Sequence, residues 1–256
     1  MKLVDVHCHL NSSHFRDNLD SIIDDATHAG IVAMITNAIT PDGWEESALL
    51  TERFDCVYCA PGIHPWYISE KDITRIHDIP SFITGKTVAI GETGLDKKIE
   101  SPGFALQQSV FEDQVIMARE LDLPLIIHCR GAFSELIQSF KRTGISDAGG
   151  VIHSYSGNVE VAKQLIPYGM SFSMGGAVTH RNSTKKAKVL EYIYPHYLVL
   201  ETDSPDIPPV EKGDSINVPA NIRYTLTAVS EILGIAEDEI AHTTTINAQK
   251  IFGLPI

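Results

Sequence analysis

Short apolar runs alternate with longer amphipathic stretches along the whole 256-residue chain. Runs such as Val88-Ala89-Ile90, Leu125-Ile126-Ile127 and Leu198-Val199-Leu200 are continuously apolar and bounded by turn residues. Strands buried on both faces read this way, whereas a half-exposed strand alternates. The runs predict strands over 2–7, 31–36, 55–62, 87–92, 123–128, 150–153, 170–174 and 197–201. Helical spacing predicts helices over 19–29, 44–53, 73–82, 105–121, 133–142, 159–167 and 184–193. Asn158 and Ser183 are expected N-caps, and Gly30 and Gly144 expected helix stops. A loop carrying Pro205, Pro208 and Pro209 then leads into two terminal helices, 219–233 and 236–252.

Eight strands, each followed by a helix, in about 250 residues predict an α/β fold, the (β/α)8 TIM barrel. The rival is an open doubly wound sheet, which usually carries a Gly-rich first turn. None follows the first strand here. With no linker and no internal repeat, the chain reads as one domain, 1–256, ending in C-terminal helices.

Composition narrows the picture. Hydrophobic residues make up 43% of the chain, enough for a large core, and no window approaches the ~18 apolar residues of a membrane span. Four cysteines are few for this length, and no signal peptide is evident, so a reducing, cytoplasmic setting is expected. Cys56 and Cys59 form a C-x-x-C, but odd spacing along a strand sends the thiols to opposite faces. Both are therefore expected as core residues. The net charge of -13 opposes non-specific adhesion to nucleic acid or anionic membranes. It is unevenly spread: residues 128–188 hold eight Lys/Arg against three acids, leaving that segment at +5 and the remainder at -18.

The candidate chemistry comes from what each predicted strand ends on, because a barrel's active site lies at the C-terminal ends of its strands. The first ends on His7 and His9, two apart and so on one face, with Cys8 on the other. Alone, such a pair can equally be an ordinary terminal segment. The third strand leads to His64, the fourth to Glu92, the fifth to His128, the sixth to His153 and the eighth to Asp203. Agreement among separate strand ends is what makes the pair a ligand pair. His7, His9, Glu92, His128, His153 and Asp203 exceed the four ligands of a structural zinc site. Two divalent ions about 4 Å apart account for the surplus. Glu92 is the expected bridge, with His7, His9 and Asp203 on one ion and His128 and His153 on the other. Asp203 keeps an oxygen free to accept a proton from the attacking water, which makes it the expected general base. His64 and Arg130 share the mouth and suit an anionic oxygen such as a phosphate, and Lys185 and Lys186 are expected to face it too. Lys141 and Arg142 end a helix at the opposite rim and are set aside. Four imidazoles favour zinc, while the carboxylates favour magnesium or manganese.

Several motifs together resemble the TatD family of metal-dependent deoxyribonucleases, within the amidohydrolase-like barrels. They are Asp5-Val6-His7-Cys8-His9-Leu10, Gly62-Ile63-His64-Pro65, Gly91-Glu92-Thr93-Gly94-Leu95-Asp96 and Gln107-x-x-x-Phe111-x-x-Gln114. Pro124-x-Ile126-Ile127-His128-Cys129-Arg130, His153-Ser154-Tyr155-Ser156-Gly157 and Glu201-Thr202-Asp203-Ser204-Pro205 complete the set, which runs nearly end to end. The resemblance implies a magnesium-dependent 3′–5′ exonuclease acting on DNA, with RNA in some members, and the same six metal ligands. It also implies a phosphate-facing His64. Two positions depart from the family habit: Lys97-Lys98 follow Gly-Leu-Asp where an aromatic is frequent, and Cys129 stands where Ser is frequent.

Three functions compete. The first is a two-metal phosphodiesterase trimming nucleic-acid ends, with catalytic roles for Asp203, Glu92 and His64 and no obligate protein partner. The second keeps the barrel and metals but hydrolyses an ester or amide, as in a D-aminoacyl-tRNA deacylase, since fold does not decide chemistry. The third is a non-catalytic binding protein, which the filled ligand positions disfavour.

Overall fold

The computed structural model describes residues 1–180 and 184–256. The expected N-cap Ser183 lies outside the described residues. Eight parallel strands run in chain order: β1 (Leu3–Cys8), β2 (Ile31–Asn37), β3 (Val57–Ala60), β4 (Ile90–Asp96), β5 (Leu125–Arg130), β6 (Gly150–Ile152), β7 (Met170–Met174) and β8 (Leu198–Leu200). Their hydrogen bonds form two arcs, β1-β2-β3 and β4 through β8. Bonds outside the regular ladders join the arcs. On one side Val88 donates to the Cys59 carbonyl (3.0 Å) and Gly91 to that of Pro61 (3.1 Å). On the other, Asp203 donates to the His7 carbonyl (2.9 Å) and His9 to that of Ser204 (2.8 Å). The sheet is thereby closed into the expected barrel.

The helices are α1 (Leu19–His28), α2 (Trp44–Arg53), α3 (Asp72–Arg75), α4 (Phe104–Glu120), α5 (Phe133–Thr143), α6 (Val159–Leu165), α7 (Thr184–Ile193), α8 (Ile222–Leu233) and α9 (Glu237–Phe252). Asn158 caps α6 as expected, its Oδ1 accepting from the Val161 amide at 2.9 Å. The helix expected over 73–82 is corrected: only four residues are α-helical, and a 3₁₀ segment containing Pro80 follows. Proline lacks the amide that an α-helix interior needs. Likewise Pro219–Asn221 form a 3₁₀ turn, so α8 starts three residues later than the spacing predicts.

Two apolar layers account for the strand patterns. Val4, Val6, Ala33, Ile35, Tyr58, Ala60, Ile126, Val151 and Val199 fill the barrel, together with Ala248 and Phe252 of α9 and the following Leu254. Leu3, Ile31, Leu125, Ile127, Ile152, Leu198 and Leu200 pack outward against the helices. Strand parity then aims the chemistry. Two residues beyond the inward Ile126 comes His128, two beyond Val151 comes His153, and Val199 is followed at the same parity by Glu201 and Asp203. In β1 the parity changes: Val6 packs inside but Cys8 outside, and a register shift lies between Asp5 and Cys8. Cys59 is buried and Cys56 half-buried, and both are free thiols.

Two strands, β4 and β5, overrun their expected ends by more than one residue. Pairing between β4 and β5 continues through Gly94–His128 to Asp96–Arg130, so Glu92 and His128 lie within strands rather than at their last residues. Gly94 permits this. A Cβ there would stand 1.9 Å from the His128 carbonyl oxygen, so any side chain would force β5 away from β4.

Candidate metal centre

Glu92 sits at the middle of the site, 3% exposed, and its two oxygens face different partners. Oε2 lies 3.3 Å from Nε2 of His7 and 3.5 Å from Nε2 of His9. Oε1 lies 3.1 Å from Nε2 of His153, 3.4 Å from Nδ1 of His128 and 3.3 Å from Nε2 of His64. Asp203 closes the first group: its Oδ1 is 3.3 Å from Nε2 of His7 and 3.5 Å from Nε2 of His9. The rings of His7 and His153 stack with centroids 4.1 Å apart. The structure thus brings together all six expected ligands and His64.

The donor set fits cations. Two groups of ligand atoms, His7–His153–Asp203 and His7–His9–Glu92, each lie within 4.8 Å of one another, and Glu92 and His128 come equally close together beside His64. Both ring nitrogens of His7 and Nδ1 of His153 are buried without a hydrogen-bond partner. Such orphaned polar atoms are costly in a folded interior unless something completes them.

The electrostatics follow from crowding. Burial alone would lower the pKa of His7, and His153 beside it acts the same way, but Glu92 and Asp203 prevail and raise it to about 9. Burial also opposes charge on His153 and His128, and neighbouring carboxylates again push both upward. Desolvation would raise Glu92, yet His64, His153 and His7 hold it well below the usual carboxylate range. Asp203 is held low in the same manner by His7 and His9 against its own burial. Without cations, these imidazoles therefore keep protons that a metal must displace. Metal uptake is expected to release protons, and its affinity to weaken as pH falls below about 9. Titrating metal into weakly buffered protein at several pH values measures both effects.

His64 differs. Burial lowers its pKa more than Glu92 raises it, so the ring is neutral. The Trp66 amide donates to its Nδ1 at 3.1 Å, which places the ring proton on Nε2. His64 consequently offers the centre a proton donor rather than a lone pair.

A second ring of polar residues, given no role by the sequence reading, orients the first. Asp96 is fully buried and its Oδ2 lies 3.2 Å from Nε2 of His128, which turns Nδ1 toward Glu92. Asp96 is itself held by the Lys98 amide (2.7 Å) and the Trp66 indole N–H (2.7 Å). Glu201 Oε1 accepts from the Ser154 amide at 2.8 Å and lies 3.6 Å from Nδ1 of His153. The Asn37 carbonyl binds Nδ1 of His9 at 2.8 Å. Asp5 accepts from the Thr202 amide (2.9 Å) and hydroxyl (2.6 Å), fastening the Asp203 turn to β1, and burial pushes its carboxyl up to about 7. From α4, the Gln107 side chain holds the Asp96 amide (2.9 Å) and Gln114 holds that of Ile63 (2.8 Å), next to His64. The signal for all of these was polar residues at buried positions of otherwise apolar runs. Outer partners of this kind fix tautomer and orientation. Asp96→Asn is expected to weaken metal binding about 10- to 100-fold while leaving the fold intact, as calorimetric metal titration and circular dichroism would show.

The rim cations are less uniform than expected. Arg130 is exposed at the end of β5 and makes no side-chain hydrogen bond or ion pair among the described residues. Lys185 donates to the Ser156 carbonyl at 2.7 Å, and Lys186 to that of Ala177. Both reach loops that follow barrel strands, where their hydrogen bonds brace backbone. Lys97 pairs with Glu135, and Arg142 with Glu112 on the outer helices.

Comparison with known proteins identifies the family of the chain. Residues 4–253 match the sequence model for TatD-related DNases. The chain is 30% identical over 253 residues to YabD of Bacillus subtilis, described as an uncharacterized metal-dependent hydrolase, covering 98% of each protein. The crystal structure of YjjV, a TatD homologue from Escherichia coli, superposes with a TM-score of 0.92 at 28% identity, covering 99% of this chain and 98% of that one. A TatD-family hydrolase from Entamoeba histolytica shares the fold, with a TM-score of 0.87 at 20% identity, covering 98% of each chain. The chain belongs to the TatD family of metal-dependent hydrolases, and its fold is the α/β barrel of that family.

Proposed function

We propose that the protein hydrolyses phosphodiester bonds at the ends of DNA strands, as a 3′–5′ exonuclease using two divalent cations, with RNA ends as further substrates. The observation that carries the reading is the division of Glu92, whose Oε2 faces His7 and His9 while Oε1 faces His128 and His153. On this reading Glu92 joins two cation sites, His7, His9 and Asp203 holding one and His128 and His153 the other. Cations bound there would supply positive charge to the phosphate oxygens and make water acidic enough to attack. Asp203 accepts the proton of the attacking water, which cations bound beside it would make more acidic and so easier to deprotonate. His64 donates its Nε2 proton toward a phosphate oxygen, and Arg130, whose side chain is exposed and unpaired among the described residues, binds the strand's outer phosphate. Lys185 and Lys186 shape the rim and add positive potential. An acidic body with cations confined to the mouth suits a strand end better than a long duplex footprint.

The whole chain acts as one domain on this account, in a reducing cytoplasm that its four free thiols suit. Among the described residues, no helix is long and apolar enough to cross a membrane. The discriminating assay offers one purified, metal-loaded sample an end-labelled single-stranded DNA and an aminoacyl-tRNA ester. Preferred turnover of the DNA with release of mononucleotides supports the proposal. Preferred turnover of the ester would replace it with the deacylase reading.

A further inference from the structure

We infer that Trp66 is the platform on which the terminal base of a bound strand stacks, and hence a residue that directs the enzyme to strand ends. The inference rests on the phosphodiesterase reading. Of the chain's two tryptophans, Trp44 is buried at 1% exposure whereas Trp66 is 43% exposed, at the edge of the centre. Nothing about this ring is loose. Its indole N–H donates to Asp96 at 2.7 Å, and its centroid lies 5.1 Å from that of His64 and 5.8 Å from that of His128. The ring is therefore fixed relative to a phosphate-facing imidazole and to a cation ligand. Tyr67 beside it is 47% exposed, with its ring 5.7 Å from His64.

An exposed aromatic pair beside a site for anions matches the two halves of a nucleotide: a phosphate for the imidazoles and cations, and a flat base for the ring. Every base offers a π-face, so such a platform tolerates sequence. A base inside a duplex has both faces covered by its neighbours, so the ring can receive only a base at a strand end, where a face is free. A small ester or amide has no matching group.

The test compares Trp66→Leu and Trp66→Phe with wild type on two short single strands, one ending in thymidine and one of equal length ending in an abasic residue. Wild type should favour the base-bearing end about tenfold in kcat/KM, and Trp66→Leu should abolish that preference. Trp66→Phe should keep most of the preference, even where loss of the bond to Asp96 slows both substrates alike. A separate readout is tryptophan fluorescence, titrated with a phosphorothioate-ended strand that resists cleavage. Trp66 should be quenched by the base-bearing end and far less by the abasic one, while the Trp44 signal remaining in Trp66→Leu should not respond. Equal quenching by both strands, or an equal loss on both substrates in Trp66→Leu, would overturn the inference. Failure to cleave any strand would instead refute the phosphodiesterase reading, and the fluorescence would then decide base stacking by itself.

Discussion

Replacing Glu92 by glutamine is expected to lower kcat at least about a thousandfold, the loss of ~4 kcal/mol of stabilisation that two cations supply jointly. The substitution keeps the volume of the side chain but removes the charge against which His64, His153 and His7 are arrayed. An amide has one oxygen, so it can serve the His7–His9 side or the His128–His153 side of the centre but not both. Metal analysis should accordingly show less bound metal in the variant than in wild type, and circular dichroism should show an unchanged fold. Wild-type metal content and rate in Glu92→Gln would remove the basis for a bridging role.

Asp203→Asn should cost about 10²- to 10⁴-fold in kcat, the usual worth of a positioned base, with KM for a short DNA strand within about threefold of wild type. Asparagine is the informative choice because Asp203 has φ of +60°, a left-handed conformation that asparagine tolerates and most residues do not. The variant should therefore fold, keep the amide bond to the His7 carbonyl and retain an oxygen beside His7 and His9. What it lacks is the capacity to take a proton, together with the negative charge that would help His7 and His9 hold a cation. Single-turnover rates on labelled DNA measure the loss. Little change would transfer the role of base to another group.

The barrel and the residues facing its mouth were legible because both follow from strand periodicity. Continuous apolar runs marked strands buried on two faces, and a polar residue two positions past an inward valine or isoleucine had to face the mouth. His128 and His153 are reached in this way, whereas Asp203 lies four positions past Val199, beyond Glu201. Less legible was where strands stop. The overrun of β4 and β5 depends on Gly94, whose missing Cβ matters only once β5 lies against it. The helix after β3 shows the converse, a local rule outweighed by pattern: Pro80 should have argued against the 73–82 helix, yet Ile73, Ile76 and Ile79 gave it helical spacing. Most hidden were Asp96, Glu201 and Asp5. Their partners are distant in sequence (Asp96 serves His128, and Asp5 serves Thr202), so no short spacing reveals them. The rim lysines illustrate a further limit. Sequence placed Lys185 and Lys186 at the mouth, but only the structure shows them bound to the Ser156 and Ala177 carbonyls.

The most direct test of the two-cation phosphodiesterase is stepwise reconstitution of stripped protein, counting bound metal while following release of mononucleotides from end-labelled single-stranded DNA. Magnesium, manganese and zinc should each be tried. The account predicts no cleavage before metal is added, a rate that climbs as the second equivalent binds, and a plateau at two ions per chain. Cleavage that survives complete chelation, or a rate already maximal at one ion, would contradict it.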